Sequence, residues 1–446
     1  MKNKRIMAIM MTMAMGLSMA ACGSGGNEAK EQVTDPTALT AENPLIVWAW
    51  DDAFNVPAMQ DAIDMYISQK GLAEGSIVIN YMASGDVETA LTTAATSGDY
   101  SQLPDITLLQ DHDYQKYLLS YPDLFAALDD YAIDFNQFAT YKTNYSIVDG
   151  KHYAVPLDSG CVIAAYRTDV LEEAGYTVAD MTGITWDEFI TIGTDIFNKT
   201  GKHIMSDNTD GYDPLLYMIQ SCGASMFNDD GSINLTVENE PLVEAMTIYR
   251  DMVNSGTMEL VSSWDEYIAS FASKETTAGV INGAWILSSI ESGNDSMSGK
   301  WEMTTMPTLT KASNATCYSN NGGSSWGVLA SSDKVAVAAD LLVNTFASAD
   351  NASALYDEVL HDANLIGTFQ PALSADIYSG TLSKFGDQEI YAMIAEWAPN
   401  VPTSADSMYY YEARGVLGTA EAEYIDGASI EEVLKKAMDN YATQVQ

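Results

Sequence analysis

Short apolar runs alternate with longer amphipathic segments in the first quarter of the chain. Residues 45–50, 77–81 and 104–109 have the length and composition of buried strands. The two segments between them have helical periodicity, and Gly71 and Gly98 supply their C-terminal stops. The apolar face of the first helix consists of Met59, Ile63, Tyr66 and Ile67. This β-α-β-α-β order predicts a parallel sheet with right-handed crossovers.

The carboxyl ends of these strands predict a ligand-binding crevice, because ligands on parallel sheets bind beyond that edge. The side chains expected to line the crevice are Trp50, Asp51, Asn55, Ser84, Asp111 and His112. Each of Asp51, Asn55 and Asp111 could equally serve as a cap for the following helix. Ser84 is also the expected N-cap of the second helix.

A second polar interruption lies between two apolar strands, at residues 153–157 and 162–166. Asp158, Ser159 and Gly160 bring a carboxylate, a hydroxyl and a bare backbone together there. Asp158 is therefore a further candidate for ligand binding, with a capping role as the equally open alternative.

Two helices follow this interruption. Thr185 and Glu188 form a capping box that opens the second of them, and Gly201 ends it. Trp186 lies inside the box and is expected to pack in the interior rather than contact a ligand.

Residues 153–201 carry a specific resemblance. Their sequence, YAVPLDSGCVIAAYRTDVLEEAGYTVADMTGITWDEFITIGTDIFNKTG, resembles the segment that bacterial extracellular solute-binding proteins of sugar-uptake, maltodextrin-binding-like ABC transporters carry between their lobes. Arg167 stands where the family often has Asn, and the resemblance extends over nearly all of residues 44–446. It implies an α/β, periplasmic-binding-protein-like fold of type II, with two lobes of mixed, mostly parallel sheet flanked by helices and joined by a multi-strand hinge.

The resemblance also implies where the lobes divide. The first lobe is expected at residues 44–160 plus 305–357, and the second at residues 161–304 plus 358–446. The chain crossings that form the hinge are expected near residues 155–161, 303–310 and 354–362. Because contacts from both lobes to a ligand exist only in the closed form, ligand binding should favour closure.

Further site residues come from the second half of the chain. In this family a Trp after a strand such as AGVINGAW, residues 278–285, commonly faces the ligand, which makes Trp285 a candidate. The other candidates are Tyr212, Ser325, Trp326, Gln370 and Tyr410. Aromatic rings and fixed polar groups suit the C–H faces and hydroxyls of a sugar, and 8 Trp and 25 Tyr stand against 11 Phe. Unassigned at this point are Trp264, Trp301 and Trp397.

Residues 1–21 have the pattern of an export signal, a basic start followed by an apolar run that is shorter than the ~20 residues of a spanning helix. Residues 19–22, MAAC, resemble a bacterial lipobox with Met in place of the usual Leu. Cys22 is therefore predicted to carry a lipid that anchors the protein to the outer face of the cytoplasmic membrane. An ordinary signal peptide followed by a chance cysteine is the alternative. Residues 22–43 are expected to form a flexible tether.

The chain is strongly acidic. Its 20 basic and 62 acidic residues give a net charge of −42, and loss of the three basic residues of the signal makes it −45. This charge excludes nucleic acid and anionic lipid as partners but leaves a cationic solute, such as a polyamine, as an alternative ligand. Cys161, Cys222 and Cys317 form no C-x-x-C pair, so they are expected to be small buried residues.

The sequence contains no nucleophile elbow, P-loop or Rossmann glycine motif, and its four histidines lack metal-ligand spacing. We therefore expect a binding protein without enzymatic activity, cofactor or metal ion. A secreted glycoside hydrolase with two catalytic carboxylates is a less favoured alternative. The main prediction is a monomeric lipoprotein that captures a carbohydrate, expected to be an oligosaccharide, and delivers it to the permease subunits of an ABC transporter.

Overall fold

The computed structural model describes residues 32–52, 54–209, 212–374 and 376–445. Its strands are β1 (Leu45–Ala49), β2 (Ile77–Tyr81), β3 (Ile106–Gln110), β4 (Ile147–Val148), β5 (Lys151–His152), β6 (Ala154–Pro156), β7 (Val162–Arg167), β8 (Met205–Asn208), β9 (Met258–Val261), β10 (Gly279–Gly283), β11 (Trp301–Thr304) and β12 (Ser324–Val328). 

Its α-helices are α1 (Asn55–Lys70), α2 (Ser84–Ser97), α3 (Asp113–Ser120), α4 (Thr140–Thr143), α5 (Thr168–Ala174), α6 (Trp186–Thr200), α7 (Asp213–Gln220), α8 (Glu240–Asn254), α9 (Trp264–Ala272), α10 (Leu287–Glu291), α11 (Val335–Asn344), α12 (Ala352–Ala363), α13 (Ile390–Trp397), α14 (Tyr410–Ile425) and α15 (Ile430–Gln444). Short 3₁₀ turns lie at Pro36–Ala38, Phe135–Gln137, Asn144–Ser146, Val178–Met181, Ala284–Ile286, Asp295–Met297, Ala372–Ser374, Asp376–Ser379, Ser383–Phe385 and Ala398–Asn400.

The first sheet, as far as the chain is described, has five strands in the order β2-β1-β3-β12-β6. β1 runs parallel to β2 and β3, which confirms the order predicted for the first three strands. Gly71 and Gly98 have φ angles of 65° and 71° and end α1 and α2, as predicted. Ser84 is the first residue of α2, and Ala83 takes the capping position, so the N-cap predicted at Ser84 is wrong by one residue.

Helices cover both faces of this sheet. One face packs against α1, α11 and α12, where Leu342 and Tyr356 are buried, and the other packs against α2 and α3 through Leu91. Alternate residues of β1 serve the two faces, with Val47 in one core and Trp48 in the other. These layers form the first lobe, an α/β sandwich.

A second sheet, with β7 between β10 and β11, organises the second lobe. Both of its pairings are antiparallel, whereas β8 and β9 form a separate parallel pair. Ala164 and Tyr166 of β7 enter a core shared with α5–α8, α14 and α15. Ile163 and Ala165 point to the other face, toward α9, α10 and α13. Burial on both faces explains why β7 is a continuous apolar run in the sequence.

Two local predictions are confirmed in the second lobe. Thr185 and Glu188 form the capping box of α6, and Trp186 is buried in the core. Cys161 and Cys222 are buried free thiols, while Cys317 is partly exposed.

The lobes are joined where strands cross from one core to the other. The first described crossing lies at residues 157–162, because Leu157 belongs to the core of the first lobe and Val162 to that of the second. The second lies at residues 317–324, later than predicted, because β11 still pairs with β7 and Leu309 is still in the core of the second lobe. The third connection extends over residues 360–372, where Leu360 and Ile366 lie in the core of the second lobe but Leu365 and Phe369 lie in that of the first.

The three crossings contact each other through backbone groups. The N–H of Ser159 donates to the Ile366 carbonyl at 2.7 Å, and the N–H of Asn321 donates to the Gly160 carbonyl at 2.8 Å. A side chain at Gly160 would place its Cβ 2.6 Å from the carbonyl oxygen of Asn321. A glycine is therefore required for the crossings to lie this close together.

Residues 32–43 lie against the first lobe. The N–H of Val33 donates to the Asp333 carbonyl at 2.7 Å, and Leu39 is buried in the core. The flexible tether predicted for residues 22–43 is therefore wrong for residues 32–43. The signal at residues 1–21 and the lipid site at Cys22 lie outside the described residues. Within the described part of the chain, no helix has the length and apolar character needed to span a membrane.

Candidate functional site

A buried ion cluster lies at the carboxyl edge of the first sheet. The ammonium group of Lys142 pairs with Asp111 and lies 3.9 Å from Oδ1 of Asp158. The hydroxyl of Ser325 donates to Oδ1 of Asp111 at 2.7 Å. The N–H of Ser324 donates to Asp158 at 2.7 Å, and burial raises the pKa of Asp158 although Lys142 acts in the opposite direction. Asp111, Asp158 and Ser325, all predicted site residues, are thus brought together, but they hold strand ends inside the protein.

The turn after β1 is held by Asn55. Its Oδ1 accepts hydrogen bonds from the N–H groups of Trp50 at 3.2 Å and Asp51 at 3.1 Å. Asn55 is buried, whereas Asp51 is exposed and Trp50 is half-buried. Ser84 is also half-buried, at the start of α2. Asn55 therefore has a structural role, and the other three lie at the edge where the sequence predicts a crevice.

His112 lies between the two lobes. Its ring stacks on that of Tyr410, with centroids 3.7 Å apart and planes inclined by 5°. The edge of Tyr145 contacts it at 4.7 Å, and its Nδ1 lies 3.1 Å from Oδ2 of Asp406. The two predicted site residues His112 and Tyr410 thus contact each other.

A cavity of about 190 Å³ opens in the second lobe. It is lined by Asp207, Asn208, Asp213, Trp264, Tyr267, Asn282 and Arg414. Trp264 is 45 % exposed, and its ring lies 5.6 Å from that of Trp285. The indole N–H of Trp285 donates to the Asn321 carbonyl at 2.9 Å. Trp264 lines this cavity, and Trp285, a predicted site residue outside the described lining, packs beside it; the two rings are here named the aromatic wall.

A connected polar network faces the aromatic wall. Arg414 donates to Oδ1 of Asp213 at 2.7 Å. The amide of Asn321 donates to Oδ2 of Asp213 at 2.9 Å and to Oδ1 of Asn282 at 2.6 Å. The amide of Asn282 donates in turn to the hydroxyl of Tyr267 at 2.9 Å. These bonds fix the orientation of donors and acceptors before any ligand arrives.

The charge of the cavity is nearly balanced. Burial, with a contribution from Asp213, raises the pKa of Asp207 to about 8, so this carboxyl is protonated at neutral pH. The hydroxyl of Tyr249 donates to it at 2.7 Å. Burial alone would lower the pKa of Arg414, but Asp213 together with other nearby acidic groups outweighs burial and the pKa is raised. An acid, an ion pair and two amides beside an aromatic wall can bind a polar, uncharged molecule with apolar ring faces.

The family model for the bacterial extracellular solute-binding proteins matches residues 61–372. The chain belongs to this family. A lactose-binding protein from Rhizobium radiobacter is 35% identical over 402 residues, which cover 90% of this chain and 93% of that protein. As a member of an extracellular family, the protein is exported and binds a solute.

Solved structures confirm the fold of this solute-binding protein. A crystal structure of an extracellular solute-binding protein of family 1 matches with a TM-score of 0.75 at 18% identity, covering 90% of this chain and 100% of that one. A binding protein associated with an ABC transporter of B. animalis subsp. lactis Bl-04, solved with β-1,6-galactobiose, matches with a TM-score of 0.67 at 21% identity. This match covers 90% of the present chain and 98% of the other. The predicted periplasmic-binding-protein fold is confirmed.

None of the thirteen predicted site residues of this solute-binding protein is among the described residues that line the cavity. Three of them have the following positions. Trp326 is 0 % exposed and stacks on Phe346 at 6.2 Å in the first lobe, so no ring surface is left for a ligand. Gln370 lies in an exposed turn. Tyr212 precedes α7 with a φ of 51°, and its ring packs beside Tyr249 at 5.6 Å.

Sequence reasoning assigned none of the described residues that line the cavity. It missed Asp207, Asn208, Asp213, Tyr267, Asn282 and Arg414, and left Trp264 unassigned. It also missed Asn321 of the polar network and Lys142 of the buried ion cluster. Two local signals could have found some of them. Asn282 lies three residues before Trp285 in the same strand segment, and Arg414 follows Tyr410 by one helical turn. Lys142 has no such signal, because it lies away from any predicted strand end.

Proposed function

We propose that this solute-binding protein is the substrate receptor of an ABC importer, which captures a neutral sugar in the cavity beside Trp264 and delivers it to membrane permease subunits. The observation that carries the proposal is the exposed aromatic wall facing a fixed network of amides, an acid and an ion pair. The lactose-binding relative makes lactose, a β-galactoside, the first ligand to test.

The chemistry of the cavity suits a sugar ring. The C–H face of a hexose would lie on the indole of Trp264, and its hydroxyls would bond to Asp213, Asn282 and Arg414. A cavity of about 190 Å³ is smaller than the roughly 300–1,000 Å³ of sites that enclose drug-sized ligands. It would therefore hold one sugar unit, and a second unit would extend toward Trp50 and the other residues at the edge of the first lobe.

The proposed binding cycle uses both lobes. The crossings would act as the hinge, with residues 44–160 in the first lobe and residues 161–304 in the second. A ligand held by the cavity and by the edge of the first lobe makes its full set of contacts when the cleft is closed, so binding would shift the population toward closure. The monomer would then present a closed form that the permease distinguishes from the empty one.

Two features argue against the alternative ligands and activities. A polyamine site would gather uncompensated carboxylates, whereas Asp213 is paired with Arg414 and Asp207 holds a proton at neutral pH. The same pairing removes Asp213 as a free nucleophile or base for glycoside hydrolysis. We therefore propose a receptor without catalytic activity.

Calorimetric titration of the purified protein tests the proposal. The panel is lactose, β-1,6-galactobiose, maltose and spermidine, and we expect lactose or galactobiose to bind with micromolar affinity, about −8 kcal/mol. Binding of spermidine but of no sugar would overturn the sugar proposal. Release of monosaccharides during incubation with lactose would overturn the assignment as a receptor without catalysis.

We also propose that Cys22 carries a lipid anchor. Export of the family supports this assignment, as does the lipobox-like sequence before Cys22. Metabolic labelling with a radioactive fatty acid should label the wild-type protein, and Cys22→Ser should abolish the label and release the protein from the membrane. Labelling of the variant would contradict the assignment.

A further inference from the structure

His112 connects the two lobes through its contacts to Tyr410 and Asp406. His112 follows β3 in the first lobe. Tyr410 is the first residue of α14, which packs in the second lobe, and Asp406 lies four residues before it. We propose that these three residues, here named the latch, hold the cleft closed at one end and limit how far a ligand can extend there. The claim that the latch limits ligand length rests on the proposed function, whereas the claim that it holds the cleft closed does not.

The geometry of the latch is that of a formed contact. The rings of His112 and Tyr410 are parallel to within 5° at 3.7 Å, and Nδ1 of His112 lies 3.1 Å from Asp406. The side chain of His112 is 17 % exposed and that of Asp406 is 5 % exposed. Since water is largely excluded, both contacts stabilise the arrangement of the lobes more than they would on an open surface.

Neighbouring residues make parallel contacts between the same two elements. The hydroxyl of Tyr411 donates to Oε1 of Gln110 at 3.0 Å. Gln110 ends β3, and Tyr411 follows the latch residue Tyr410 in α14. The end of β3 and the start of α14 are therefore joined at several points.

The latch also lies next to the proposed sugar site. Asn321 bonds to Asp213 and Asn282, which line the cavity of about 190 Å³. On its other side Asn321 borders a space of about 30 Å³ that His112 and Tyr410 help to line. Such a space holds about one water molecule and no sugar unit. The latch therefore leaves no room for a further sugar unit at this end of the cavity, and a longer ligand can extend only in other directions.

His112→Ala removes the stack and the contact to Asp406. His152→Ala is a closely matched control, because His152 stacks on Phe135 at 4.0 Å and 3° and bonds to Asp129 at 2.8 Å, all within the first lobe. Small-angle X-ray scattering of the ligand-free proteins compares their radii of gyration. We expect a larger radius for His112→Ala and an unchanged radius for His152→Ala. Equal radii for His112→Ala and the wild type would overturn the latch.

Ligand length is tested by calorimetry with lactose and two trisaccharides, one extended at the galactose end of lactose and the other at the glucose end. For each protein, the ratio of the Kd of a trisaccharide to the Kd of lactose is compared with the ratio in the wild type. For at least one trisaccharide, this ratio should be tenfold or more lower in His112→Ala and unchanged in His152→Ala. Unchanged ratios in His112→Ala for both trisaccharides would overturn the proposed limit on ligand length. If the wild type binds none of the sugars, the proposed function and the length limit both fail, while the scattering comparison still decides whether the latch exists.

Discussion

At the scale of single residues, Lys142 is expected to be critical for the stability of the first lobe. Its ammonium group compensates Asp111 and Asp158 where all three side chains are almost fully buried. Lys142→Met would leave these carboxylates without their cation, and breaking a buried ion pair in this way costs about 3–5 kcal/mol. Urea unfolding at pH 7 should show a loss of that size in the free energy of unfolding.

The matched control for this variant is Lys435→Met. Lys435 pairs with Asp439 at 2.5 Å on the surface of α15, and both side chains are exposed. Such surface pairs contribute about 0–1 kcal/mol. If the two variants lose the same stability, the buried cluster has no special weight and the argument fails.

A second buried side chain, Asp113 at the start of α3, predicts how stability depends on pH. Burial, with a contribution from Glu88, raises the pKa of Asp113 from 3.8 to about 8. Between these values the folded protein holds a proton that the unfolded chain releases. The free energy of unfolding therefore falls as the pH rises through this window. Above the window, Asp113 causes no further loss. The slope is about 1.4 kcal/mol per pH unit.

Asp113→Asn removes this titration. Between pH 5 and 7 the variant should lose about 2–3 kcal/mol less stability than the wild type does, as measured by urea unfolding at both pH values. Asp86→Asn is the control, because Asp86 is an exposed acid in the first turn of α2. Parallel pH profiles for the wild type and Asp113→Asn would show that the carboxyl is ionised in the folded protein.

Residue roles were predicted from the sequence only where they depend on local position. The rule that polar residues at strand ends form sites found Asp111 and Asp158. It could not show that their carboxylates point inward, because Lys142 lies 31 positions from Asp111, on a helix of four residues. Trp326 was misjudged for the same reason, since its burial depends on Phe346 and on strands distant in the sequence.

At the scale of secondary-structure elements, the crossing at residues 157–162 is expected to tolerate no added volume. Gly160→Ala would force a methyl group against the carbonyl oxygens of the neighbouring crossing. Overpacking of this kind costs about 1–3 kcal/mol. Thermal unfolding should show this loss, and sugar affinity should fall because the hinge is displaced.

The control for this change is Gly415→Ala in α14. A Cβ at Gly415 meets no atom within 4 Å, and alanine is favoured over glycine in a helix by about 0.5–1 kcal/mol. The two glycine variants should therefore shift stability in opposite directions. A neutral or stabilising effect of Gly160→Ala would mean that the crossings separate easily.

The positions of helices and strands could be predicted from the local hydrophobic period, whereas the pairing of strands distant in the sequence could not. α1, α2 and the parallel order of β1, β2 and β3 could be predicted, because their periodicity and glycine stops lie within one continuous segment. The resemblance implied that β12 belongs to the first lobe, but its partner and antiparallel register could not be predicted, since they depend on pairing with β3 across more than 200 residues. The later position of the second crossing likewise depends on a distant pairing, that of β11 with β7.

At the scale of the whole molecule, ligand binding and stability are linked. A ligand that binds only the folded protein stabilises it by about 2.7 kcal/mol at a concentration of 100 times its Kd. If lactose is the ligand, removing a residue that contacts it should reduce this stabilisation. The size of the reduction measures the contact and does not depend on which lobe moves. Trp264 is the contact to test, because its indole is exposed at the cavity.

Trp264→Ala should weaken lactose binding by roughly thirtyfold, about 2 kcal/mol, since aromatic residues of this kind dominate binding energies. At the lactose concentration that stabilises the wild type by about 2.7 kcal/mol, the variant would then gain less than about 1 kcal/mol. Trp264→Phe keeps an aromatic face and should retain most of the stabilisation. Urea unfolding with and without lactose measures all three proteins. Equal stabilisation of the wild type and Trp264→Ala would place the sugar elsewhere in the cleft, because a ring that contacts ligand cannot be removed without loss of affinity.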